Sequence, residues 1–78
     1  MNDTYDSRQF YRRMGLVIKD ARLRREYSQL DLARFMKVSQ GSVQFWEAGL
    51  RRPSAESIVR MCKVLRVTPE QLLGMEEQ

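Results

Sequence analysis

The sequence contains no histidine and a single cysteine, Cys62. Without an imidazole or a second thiol there is no ligand set for zinc, no histidine base and no Ser-His-Asp relay. One cysteine cannot cross-link the chain to itself, so the fold has to stand on its core in a reducing compartment, and a cytoplasmic location is expected. The longest uninterrupted apolar stretch is Leu16 to Ile18, far short of the ~20 residues that span a bilayer. Neither a membrane span nor a signal-peptide core is expected. Two prolines and four glycines are too few for a collagen-like or disordered chain. Together these absences point away from an enzyme and from any metal or organic cofactor.

What remains is a chain of 78 residues, 42% hydrophobic and 31% charged. That length suits one domain, which buries roughly 60% of its unfolded surface around a single small core. The formal charge is +4, but it is unevenly spread. Asp3 and Asp6 make the start acidic, and Glu70, Glu76 and Glu77 do the same for the end. Between them, Ser7 to Glu26 alone carries seven basic residues against Asp20 and Glu26. A basic body with acidic ends suits a polyanion, of which nucleic acid is the commonest. A merely solvated surface explains the same charge equally well.

Helix signals divide the chain regularly. Ser7 is placed to cap a first helix running to about Glu26, with Gly15 a weak point inside it. Phe10, Met14, Val17, Ile18 and Ala21 share one face at three-to-four spacing. Ser28 with Asp31 forms a capping-box pattern ahead of a helix over Gln29–Met36. Ser39 caps Gln40–Glu47, which ends before Gly49. Pro53-Ser54 opens Ala55–Leu65, whose Ile58, Met61, Cys62 and Leu65 make one buried stripe. Thr68, Pro69 and Gln71 combine a capping box with an N-terminal proline in a last helix that stops at Gly74. No strand signal appears, so the class is all-α.

The second and third helices are separated only by Lys37-Val38-Ser39. So tight a turn makes them cross steeply, the geometry of a helix-turn-helix, in which the second helix presents its N-terminal end to the major groove. The strings Ser28-Gln29-x-x-Leu32-Ala33, Val38-Ser39-x-x-Ser42-Val43-x-x-Trp46-Glu47-x-Gly49, Arg51-Arg52-Pro53-Ser54 and Val67-Thr68-Pro69-Glu70-Gln71-Leu72-Leu73 occur in that order. In this the chain resembles the helix-turn-helix family of phage repressors, Cro and xenobiotic-response regulators, over about Met14 to Gly74. The resemblance implies a compact five-helix bundle of the lambda-repressor-like DNA-binding type with an N-terminally extended first helix. The expected organisation is an extension over 1–13, the DNA-binding domain over 14–74 and a tail over 75–78.

The resemblance implies that Ala33 sits where the two helices cross. It makes Val43 and Trp46 core residues among Leu32, Met36, Ile58 and Leu65; base stacking is the alternative for Trp46. It also implies a pair between Arg22 and Glu47 that fixes the recognition helix, and a backbone-gripping loop at Arg51 and Arg52. Cys62 reads as core filler rather than a redox switch.

On the outward face of the third helix, Gln40 and Gln44 suit base reading, because glutamine pairs bidentately with adenine. Gly41 lets a base edge or backbone approach, or merely weakens the first turn. Phe45 either touches DNA or packs within the molecule. Gln29, Ser39 and Ser42, at helix starts, join Arg51 and Arg52 as expected phosphate contacts.

Lys37 departs from the family, which commonly takes glycine there, and leaves the turn geometry open. Arg8, Arg12 and Arg13 form a basic extension suited to reaching the DNA backbone, with Phe10, Tyr11 and Met14 packing back. A helix lying on a membrane surface is the weaker reading of this segment. Tyr5 and Asp3 are expected to fray.

The reading is a sequence-specific regulator of double-stranded DNA, most simply a repressor. It acts as a homodimer, so that two half-sites lie about one helical turn apart. Val67, Leu72, Leu73 and Met75 are the expected dimer surface, with Leu72 alternatively consumed by the monomer core. Two rival readings are an antitoxin that binds both its operator and a toxin, and a module that binds a second protein and no DNA.

Overall fold

Five helices make up most of the described residues, 6–75, of the computed structural model: α1 (Ser7–Arg24), α2 (Gln29–Met36), α3 (Gln40–Glu47), α4 (Ala55–Leu65) and α5 (Pro69–Leu73). Asp3 and Tyr5, and residues 76–78 of the tail, lie outside the described residues. No strand occurs among those described, so the fold is all-helical.

The caps explain the boundaries. Asp6, not Ser7, caps α1: its carboxylate accepts the Arg8 N–H at 3.0 Å, and Ser7 becomes the first helical residue. At the other end α1 stops at Arg24, two residues short of the sequence expectation, because Glu26 turns left-handed at φ 60°. Ser28 and Asp31 exchange both bonds of a capping box at 2.9 and 2.8 Å, and Thr68 and Gln71 do so at 3.0 and 2.9 Å. Each box satisfies two N–H groups that a helix start otherwise leaves bare.

Lys37 adopts the left-handed conformation itself, with φ 60° and ψ 45°. Its N–H turns back to the carbonyls of Ala33 and Arg34, and the Val38 N–H reaches Ala33 O at 3.0 Å. This is the closure that glycine makes at other helix ends. Lysine therefore leaves the turn geometry intact, at a local cost of roughly 1 kcal/mol. From α4, Arg60 donates to the Met36 carbonyl at 2.9 Å, tying down the same helix end.

The core joins all five helices through Met14, Ile18, Ala21, Leu32, Ala33, Met36, Val43, Trp46, Met61, Cys62, Leu65 and Leu72. Ile58 only packs against its edge. Trp46 lies in the core. Burial, and then the nearby Glu70 carboxylate, push the Cys62 thiol above its ordinary pKa, which leaves little thiolate for redox chemistry.

Two glycines set how closely α1 lies on the end of α3. A Cβ added at Gly15 would fall 2.5 Å from the Trp46 carbonyl oxygen and collide with that of Glu47. Gly49, at φ 75°, would carry a Cβ 2.7 Å from the Arg12 Cα. Gly15 thus serves a backbone-to-backbone contact that helix propensity alone reads as a flaw.

Candidate nucleic-acid interface

α3 has two distinct faces. Val43, Trp46 and Glu47 point inward, whereas Gln40, Gln44 and Phe45 are exposed. The side chains of Gln40 and Gln44 have no hydrogen-bond partner among the described residues. A Cβ at Gly41 would meet only the Ser39 hydroxyl, at 3.8 Å, so packing does not require glycine there. Ser39 accepts the Ser42 N–H at 3.1 Å, and the two hydroxyls lie 3.1 Å apart. Their oxygens are already partly used in holding the start of α3.

The end of α3 is anchored by a buried ionic network. Arg22 Nε donates to Glu47 Oε2 at 2.6 Å, and its Nη2 to Oε1 at 3.1 Å. The two side chains are only 8% and 5% exposed. Arg22 Nη1 also donates to the Tyr27 carbonyl at 2.8 Å, and Gln29 Nε2 donates to Glu47 Oε1 at 3.0 Å. No buried side-chain polar atom among the described residues lacks a partner.

Gln29, read from sequence as a phosphate donor, therefore directs one amide hydrogen inward onto Glu47. The network joins α1, the start of α2 and the end of α3, and sets the aim of the exposed face. Sequence reasoning missed the parts of Gln29 and Tyr27, because neither carries a local signal for a contact with Glu47 or Arg22.

The segment after α3 places Arg51 and Arg52 on aromatic rings. The Arg51 guanidinium carbon lies 4.7 Å from the Phe45 ring centroid, and that of Arg52 lies 5.3 Å from Tyr11. A guanidinium held over a ring loses less side-chain freedom on engaging an anion. Phe45 accordingly has an internal partner while staying 41% exposed.

Of the residues expected at a dimer surface, Leu72 is 1% exposed and belongs to the monomer core, which removes it from that surface. Being turned inward on a five-residue helix, it has no face left for a partner. Val67 and Leu73 are half-buried, and Met75 is 67% exposed. No described helix is long and apolar enough to cross a membrane.

A three-residue turn between α2 and α3, an outward face bearing Gln40 and Gln44, and ring-held arginines beside it are the parts of a helix-turn-helix DNA-binding domain. The helix-turn-helix family profile of Cro/C1 type matches residues 18–72, and the chain belongs to that family. It is a family of DNA-binding transcription regulators, not of enzymes, and its ligand is double-stranded DNA.

Among solved structures, the chain is similar to the restriction-modification controller protein C.AhdI from Aeromonas hydrophila, with a TM-score of 0.75 and 24% identity over 80% of this chain and 94% of that one. It is similar also to the hypothetical transcription factor NHTF from Neisseria, with a TM-score of 0.78 and 22% identity over 94% of this chain and 84% of that one. At such identities the likeness is one of fold. A comparison with curated proteins returns no match.

Proposed function

We propose that this DNA-binding regulator is a repressor that reads a two-fold symmetric operator as a homodimer. The observation that carries the reading is the outward face of α3, where Gln40 and Gln44 are exposed and unengaged beside the ring-held Arg51 and Arg52. Gln40 and Gln44 read bases, with Gly41 and Phe45 close to the groove floor. Ser39, Ser42, Arg51 and Arg52 hold phosphates, and Gln29 contributes through the amide hydrogen that Glu47 leaves over.

One α3 covers a short stretch of groove, and two half-sites about one turn apart supply the remaining specificity. Val67, Leu73 and Met75 are the apolar groups on offer for the second copy. Occupying a promoter is the simplest action for such a protein, and an unpaired cysteine suits the cytoplasm.

The test is selection from a randomised duplex pool at low and near-physiological salt. A two-fold symmetric site retained at the higher salt is the expected result. Gln44→Ala is expected to relax one position in each half-site, at about 1–3 kcal/mol of discrimination. Arg52→Ala weakens all sites alike. Binding that vanishes with salt and enriches no sequence overturns the operator reading.

A further inference from the structure

The first turns of α1 and the segment after α3 enclose a shallow cleft of about 210 Å³. Arg8, Arg51 and Arg52 line it with Ser7, Tyr11 and Leu50, and no carboxylate is among the lining residues. A space of that size holds several waters, so a phosphodiester oxygen with its hydration fits.

Two of the three guanidiniums are positioned by rings, Arg52 by Tyr11 of α1 and Arg51 by Phe45 of α3. The third, Arg8, is 87% exposed, and only its Nε leans toward Asp6, at 3.4 Å. Gly49 seated on the Arg12 backbone holds the two walls together. Phe45 stands on the outward face of α3, so an unbroken line of contacts runs from that face through Arg51 to the cleft.

We propose that this cleft binds a backbone phosphate of duplex DNA outside the stretch read by α3. The first turns of α1 thereby lengthen the contacted site. The inference rests on the DNA-binding reading above and adds to it a contact from an element outside the helix-turn-helix. Three cations, of which only Arg8 has an acid beside it, the exposed Asp6 outside the cleft, form a phosphate site without sequence preference. Their continuity with the α3 face selects duplex DNA over a free anion.

The experiment compares the full-length protein with Arg8→Ala and Arg8→Lys. Each is titrated with a selected duplex in a long form and in a form trimmed to the selected core. Arg8 lies in the first turn of α1, where a cation opposes the helix dipole, so its removal leaves the fold intact; a thermal melt checks this. One phosphate contact adds about 0.9 to the salt slope, so over a fourfold rise in salt the wild type loses about threefold more affinity than Arg8→Ala on the long duplex. Trimming abolishes the difference, and Arg8→Lys restores it.

Equal slopes for wild type and Arg8→Ala on the long duplex overturn the proposal, as does a difference that survives trimming. If selection enriches no sequence, the same titration uses a long duplex of random sequence. A slope difference there sustains the cleft while the operator reading falls, and equal slopes remove both.

Discussion

Replacing Glu47 by alanine is the severest test of how α3 is held. The substitution removes the acceptors of three hydrogen bonds at once, two from Arg22 and one from Gln29. The Arg22 guanidinium stays buried with only the Tyr27 carbonyl at 2.8 Å to receive it. Stranding one member of a buried ion pair costs about 3–5 kcal/mol. A domain of this size holds only about 4–12 kcal/mol in total, so Glu47→Ala consumes a large part of its stability.

Urea unfolding is expected to show that loss in the midpoint with little change in slope, and the melting temperature to fall by at least about 12 °C. The double variant Arg22→Met/Glu47→Leu removes the stranded charge and is expected to recover part of the loss. Asp20→Ala serves as the contrast. Its pair with Arg24 is also within hydrogen-bond distance, at 3.0 Å, but both side chains are more than half exposed, and such pairs contribute about 0–1 kcal/mol. A Glu47→Ala loss below about 1 kcal/mol, like that of a surface pair, would refute the argument that burial makes this network decisive.

Three further outcomes are expected. Gly15→Ala gains up to about 1 kcal/mol of helix propensity, yet its Cβ meets the Trp46 and Glu47 carbonyls; a net loss of about 1–3 kcal/mol in unfolding free energy is expected. Lys37→Gly relieves a left-handed lysine and is expected to raise the melting temperature, by up to about 1 kcal/mol of added stability, with DNA affinity unchanged. The Ser28 backbone N–H, aided by its hydroxyl, holds the Asp31 carboxyl below the ordinary carboxylate pKa. A depressed folded-state pKa stabilises the protein fully above the unfolded value and is lost as pH falls through the folded one. Asp31→Ala should therefore flatten the decline in stability below about pH 4, measured by thermal melts across an acid series.

Much of the fold is legible in short-range signals. The boxes at Ser28 and Thr68 and the stripe along α4 need no partner elsewhere in the chain to be recognised. One-residue choices are less secure: aspartate and serine are both good caps, and Asp6 displaced Ser7 because backbone geometry, not residue type, decides between them. Adjacent Leu72 and Leu73 illustrate the same limit, since a five-residue helix has too little periodicity to assign its buried face.

The candidate site divides along similar lines. Gln40 and Gln44 stand out because a polar face on an otherwise amphipathic helix is a local pattern. Gln29 and Glu47 lie 18 positions apart, and only the crossing of α2 over α3 reveals what they do for each other. The role of Phe45 as a shelf for Arg51 likewise depends on the path of the segment after α3. The packing role of Gly15 is invisible to propensity scales, which describe a helix without neighbours.

The network at Glu47 fastens α3 at its far end to two other helices, which bears on where adaptability resides when the protein meets DNA of imperfect sequence. If α3 reads bases as proposed, a helix fixed in this way does not rock to accommodate a displaced base. The misfit passes to the duplex, as bending, twisting or a narrowed minor groove, each with an energy that depends on base pairs the protein never touches. The stiffness of the duplex then becomes part of the recognition signal.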